Sequence, residues 1–161
     1  MTISSLPNES VVHQLMQQAL EEGVFPGAVL LVARDQEVLL HEAWGVADLA
    51  SGQSVTLDTV FDLASLTKPL ATALAVMLLV QEGRLSLDAS LAAVLPIMAE
   101  TDKAGVTIRQ LLCHCSGWPA WQPYFEQFRS LPEKDRRHRL AQILAVEPLI
   151  ATPGTASLYS D

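Results

Sequence analysis

At 161 residues, half of them hydrophobic and only 17% charged, the chain has the composition of one folded domain with a core of its own, which excludes a disordered segment. Its formal net charge of -8 argues against nucleic acid or an anionic membrane surface as a partner, since neither attracts a negative protein. The first residues lack the basic and apolar stretches of a signal peptide, and no uninterrupted run reaches the eighteen or so apolar residues of a membrane span, so the expected location is cytoplasmic.

In chain order, Asn8 or Ser10 can cap a first helix running to about Glu22, with Val11, Leu15, Met16 and Leu20 on one face and Gly23 as its stop. Pro26 and Gly27 then turn the chain into AVLLVAR. Asp35 and Gln36 reverse it and EVLLHEAWG returns, which predicts a β-hairpin. The apolar residues of both strands run nearly without interruption, so both faces of the hairpin are expected to be covered. Residues 46–60 are rich in turn formers and read as a loop. A helix is expected over roughly 65–82, apolar on every side and therefore buried, with Pro69 tolerated in its first turn and Gly83 after its end. A short helix capped by Asp88 and stopped at Pro96 follows. Thr107 and Gln110 have capping-box spacing for another, ending near Ser116 and Gly117. Trp118, Pro119 and Trp121 form an aromatic loop that either lines a cleft or packs on the core. Pro132 at a first helical position opens a helix to about Val146, and the last stretch, PLIATPGTASLYSD, has no period and reads as loop.

Two strands alone are marginal in water, and a hairpin apolar on both faces with open edges invites aggregation. The 161 residues are therefore expected to be the N-terminal part of one domain. Further strands would come from a C-terminal segment, a complementing fragment or a partner chain.

The chemistry concentrates at Ser65 and Lys68. Residues three apart on a helix lie about 5–6 Å apart at Cβ, so the amine reaches the hydroxyl. A serine attacks only if a base takes its proton, and an ammonium becomes a base only when burial or positive charge lowers its pKa. Burial in the apolar helix and the positive end of the helix dipole both push Lys68 that way. Read by itself, the pair fits an N-cap serine with a snorkelling lysine equally well. Cys113 and Cys115, one residue apart, fit a reducing compartment. Cys-His-Cys lacks a second ligand pair at zinc spacing, so neither a metal nor a cofactor is expected. His114, after a Leu-Leu pair near a helix end, is read as structural rather than as the base of a Ser-His dyad.

Four stretches in order, GAVLLVARDQEVLLHEAWGVAD, FDLASLTKP, VTIRQLLCHCSGWP and TPGTASLYSD, make the chain similar to the serine β-lactamase and penicillin-binding-protein superfamily. The likeness is to its class C β-lactamase-like branch, with D-Ala-D-Ala peptidases and family VIII-type esterases. The resemblance implies an α+β fold of helices packed on an antiparallel sheet, of which only the N-terminal hairpin lies in this chain. It implies Ser65 as nucleophile of an acyl-enzyme, Lys68 as proton-relay partner and Tyr159 as general base and then acid. A phenol titrates near about pH 10, so Tyr159 would need a cation close by. Asp161 stands where the family usually has Asn, and is expected to contact substrate or hold Lys68 charged. The family's third motif, on a late strand that supplies one of two oxyanion donors, does not occur in the sequence. The reading is thus a serine hydrolase acting on a small-molecule ester, β-lactam or peptide, nearly inactive as this fragment. The alternatives are a non-catalytic module of the same fold that senses β-lactams or peptidoglycan fragments, and a packing domain in a larger assembly or homo-oligomer.

Overall fold

Residues 8–160 are described by a computed structural model, in which the chain divides into two units, Met1–Asp62 and Leu63–Asp161. Helices and a three-stranded antiparallel sheet make it α+β.

In the first unit, α1 (Glu9–Glu21) starts after Asn8, whose φ of 63° places it in the left-handed region and whose side chain makes no capping bond. The helix packs on strand β2, where the His13 ring meets Trp44 edge-on at 6.0 Å. β1 (Gly27–Arg34) pairs with β2 (Glu37–Asp48) in register Gly27↔Gly45 to Arg34↔Glu37, with a bulge between Val32 and Ala33. The adjacent Leu39 and Leu40 point to opposite faces and both are buried, while Leu31 on β1 is half exposed.

The sheet departs from the expected hairpin. β2 runs three residues further, and residues 46–60 are not one loop: a short β3 (Gln53–Ser54) pairs back through Val46↔Ser54 and Asp48↔Gln53. The turn formers that suggested a loop build a tight reversal. The Asp48 carboxylate accepts from the Ala50 N–H at 2.9 Å and the Ser51 hydroxyl at 2.7 Å, an Asx-type turn closed by the Gly52 N–H on the Asp48 carbonyl at 2.9 Å.

The second unit begins with the apolar helix, which is continuous from Ala64 but changes its winding. A 3₁₀ turn (Ala64–Leu66) leads into a π-helical turn (Lys68–Ala73) and then α2 (Leu74–Gln81). Pro69 has no N–H to give, so the wide turn falls where the ordinary ladder is already broken. At the far end the Arg84 N–H bonds to the Leu79 carbonyl beyond Gly83, whose φ is +68°.

Contrary to expectation, this helix is not buried. Leu70, Leu74, Met77 and Leu78 are about half to two-thirds exposed. Its 18 residues, Ala64–Gln81, have a mean hydropathy of 1.4 and are long and apolar enough to cross a membrane by length and composition alone. The run is not uninterrupted, since Ser65, Thr67, Lys68, Thr72 and Gln81 lie within it. The core helix of a soluble domain passes the same test.

Beyond it, Leu91, Met98 and Val106 form a buried cluster against which Leu111, Trp118 and Leu144 pack. α3 (Leu91–Val94) is capped by Ser90, whose hydroxyl accepts from the Ala93 N–H, and not by Asp88. Asp88 instead grips the Arg109 guanidinium with both oxygens, at 2.9 and 3.0 Å. Pro96 does end α3, and opens a 3₁₀ turn, Pro96–Met98. α4 (Ile108–Leu112) carries the expected capping box in full: the Gln110 N–H donates to Thr107 Oγ1 at 3.2 Å and the Thr107 N–H to Gln110 Oε1 at 2.9 Å. α5 (Tyr124–Phe128) is an unforeseen single turn, and α6 (Glu133–Val146) starts one residue later than expected, with Pro132 at its N-cap position and no side-chain capping bond.

Candidate active site

The tail has no hydrophobic period, yet its position is fixed by backbone hydrogen bonds to the loop that leaves α4. The Ile150 N–H donates to the Gly117 carbonyl, the Gly154 N–H to that of Cys115 and the Leu158 N–H to that of His114, each at 2.8 Å. Gly117 is required there. Its φ is +87°, and a Cβ would stand 2.2 Å from the Ala151 carbonyl oxygen. The loop itself is turned by His114, at φ 56°, and its start is held by the capping box and the Asp88–Arg109 pair. Capping at residue 107 thus carries through a five-residue helix to the placement of residues 150–160.

The result is a cavity of about 570 Å³ lined by Ser65, Lys68, Thr72, Leu111, His114 and Tyr159 among others. Three of the four residues expected at a site are brought together in it. The Lys68 ammonium donates to Ser65 Oγ at 3.2 Å, and Lys68 Nζ lies 5.1 Å from the centre of the Tyr159 ring, a cation–π distance. Asp161 lies outside the described residues. Ser65 is exposed and Lys68 half-buried, so the interior burial expected for the lysine is only partly present. Ser65 follows Ala64, whose φ of 44° is costly for a residue with a Cβ, by about 1–3 kcal/mol.

His114 lines the same cavity, which the sequence reading did not foresee. Its Nδ1 accepts the Ser160 N–H at 3.2 Å, and its ring lies 4.7 Å from that of Tyr159 at 41°. The Leu-Leu-x-His spacing was the one available signal. Trp118 packs on the core and lines a separate cavity of about 230 Å³ with Leu95, Met98, Tyr124 and Leu144, while Trp121 is exposed. Burial, then the charge of Glu147 and a hydrogen bond to it, push the Tyr124 phenol up to about 12.

In the first unit Glu9 and His13, one turn apart on α1, meet Glu42 of β2 with their ligand atoms within 4.8 Å, and His13 Nε2 is 2.9 Å from Glu42 Oε2. The i, i+4 spacing of Glu9 and His13 is a signal present in the sequence, while the third member comes from a strand. Cys113 and Cys115 are both free thiols.

A family model described as Beta-lactamase matches residues 12–161. Esterase EstB of Burkholderia gladioli is 44% identical over 127 residues, 74% of this chain and 32% of its own length. A putative D-alanyl-D-alanine carboxypeptidase of Escherichia coli K12 is 32% identical over 152 residues, 85% of this chain and 35% of its own. Among solved structures, EstCE1, a hydrolase with promiscuous acyltransferase activity, superimposes with a TM-score of 0.74 at 31% identity, covering 94% of this chain and 43% of that one. A class C β-lactamase does so at 0.78 with 24% identity, covering 94% and 40%, which speaks for the fold. The chain spans about a third of the length of the curated relatives it matches.

Proposed function

Because the chain belongs to the Beta-lactamase family, we propose that it supplies the nucleophile, amine and phenol of a serine hydrolase that works through an acyl-enzyme on an ester or amide carbonyl. The observation that carries this reading is the Lys68–Ser65 hydrogen bond in a cavity that Tyr159 also lines. Ser65 Oγ attacks the carbonyl carbon as its proton passes to Tyr159, ionised beside the Lys68 ammonium. The tetrahedral oxyanion takes the Ser65 N–H. As it collapses, the alcohol or amine leaves with the proton from Tyr159, and water repeats the sequence to free Ser65. Asp161 is assigned to the substrate side of the site.

We further propose that these residues are the N-terminal part of one domain, completed by strands of a C-terminal segment or a partner chain. The exposed apolar helix and the limited share of each relative that is matched support this. A second oxyanion donor would come from the completing part. The 161 residues alone are then slower than the whole protein by about 10²–10³-fold, the usual effect of losing one such donor.

The test is to treat the whole protein with p-nitrophenyl butyrate, a chromogenic cephalosporin and a D-Ala-D-Ala peptide, with Ser65→Ala as control. Turnover of any of them that Ser65→Ala abolishes supports the hydrolase. A stable adduct without release turns the assignment to a sensor of β-lactams or peptidoglycan fragments. Neither turnover nor adduct with all three refutes the acyl-transfer reading.

A further inference from the structure

Tyr159 is more than half exposed and lies on a segment without regular secondary structure, so something other than packing must hold its phenol where a proton is to be exchanged. We propose that His114 is the positioning residue of Tyr159, gripping the amide N–H of the residue before it and of the residue after it, and touching its ring. The functional meaning of this rests on the acyl-transfer reading above; the geometry does not.

Each polar group of His114 named here has one task. Its N–H closes the end of α4 on the Leu111 carbonyl at 3.1 Å. Its carbonyl accepts the Leu158 N–H at 2.8 Å, and its Nδ1 accepts the Ser160 N–H at 3.2 Å. Between those two anchors the Tyr159 ring tilts against the imidazole at 4.7 Å. The left-handed φ of 56° puts carbonyl and side chain to use on the same segment, and His is among the few residues besides glycine that adopt that region readily. Nδ1 can accept only if it carries no proton, so the ring must be the neutral tautomer with its hydrogen on Nε2. A shift of about 1 Å in a reacting group costs about 10²-fold in rate. A clamp at the amide N–H groups of both neighbouring residues, Leu158 and Ser160, is the device that prevents such a shift.

Two substitutions separate the acceptor from the ring. His114→Asn keeps an acceptor near Nδ1 and tolerates the left-handed backbone; His114→Phe keeps a ring and has no acceptor. In the whole protein, hydrogen exchange of the Ser160 amide is expected to quicken about 10-fold in His114→Phe, as one lost hydrogen bond allows, and to stay near wild type in His114→Asn. The maximal rate of Ser65 labelling by a fluorophosphonate is expected to fall about 10²-fold in His114→Phe and less than about 10-fold in His114→Asn, with the half-saturating probe concentration unchanged in both. Nitrogen NMR of the wild type should show the neutral ring of His114 with its hydrogen on Nε2.

Unchanged Ser160 exchange in His114→Phe, or a proton on Nδ1 in the folded wild type, overturns the clamp. If His114→Phe does not fold, the wild-type tautomer and the Ser160 exchange of His114→Asn decide it. If wild-type Ser65 never labels, the acyl-transfer reading falls, and Ser160 exchange with the tautomer still judges the clamp.

Discussion

Three residues enter or leave the site in the left-handed or adjoining region, Ala64 before the serine, His114 at the end of α4 and Gly117 in the loop beyond. Only the last has no tolerable substitute. In Gly117→Ala the new methyl meets the Ala151 carbonyl, so the loop and the tail must part. A loss of about 1–3 kcal/mol is expected by denaturant melting, with faster exchange of the Ile150 amide, whose bond runs to the Gly117 carbonyl. A melting midpoint equal to wild type would show that the tail is not held there. At the same scale, Lys68→Arg is not conservative. A rigid guanidinium that stays charged cannot copy a compact ammonium on Ser65, and labelling should drop at least about 10²-fold, read as the acylation rate.

Among the elements, α4 was the most legible, because a capping box is a local reciprocal bond between Thr107 and Gln110 that needs no partner from elsewhere. Asp88 misled for the opposite reason. It is a good cap by type, but Arg109, twenty-one residues on, binds both its oxygens, and Ser90 takes the cap. The π-helical turn at Pro69 and the single turn of α5 have no period for a sequence to display. The site's core, Ser65 with Lys68, was legible from one helical turn, whereas His114 was not, since its partner lies 46 residues away.

Two pH effects follow at this level. Hydrogen bonding to Arg109 and its charge hold Asp88 below the usual carboxylate range, so the link between the 84–90 turn and α4 is complete at neutral pH and is lost as pH falls through that depressed value. The protection factor of the Arg109 amide, the observed exchange corrected for its intrinsic pH dependence, should fall on that acid limb and not in Asp88→Asn. Tyr124 behaves in reverse. Its pKa is raised from 10.0 to about 12, so its contribution to holding α5 by Glu147 is whole below pH 10 and vanishes as pH climbs through about 12. Tyr124→Phe should flatten that alkaline limb of the stability curve. A limb of the same slope would assign it elsewhere.

For the whole molecule the informative feature is the apolar surface of the 64–81 helix. A patch of this kind marks a surface that something else covers. If the completing strands cover it, Met77→Lys should cost about 3–5 kcal/mol in the whole protein, as an uncompensated buried charge does, and little in the 161-residue chain. Equal tolerance in both would mean that the helix faces solvent and would remove the support for completion. The sequence suggested that the sheet was too small to stand alone but missed β3, because a two-residue strand lies below any periodic signal.

The central claim is that Ser65, Lys68 and Tyr159 act as one acyl-transfer unit. Its most direct test is tandem mass spectrometry of the whole protein after brief exposure to a labelled penicillin or a fluorophosphonate, in wild type, Lys68→Ala and Tyr159→Phe. The account requires the added mass on Ser65 in the wild type, none in Lys68→Ala, and a slowing in Tyr159→Phe of at least about 10²-fold, the low end of general-base contributions. Label on another serine or on Cys113, or label on Ser65 at the same rate in all three proteins, would contradict it.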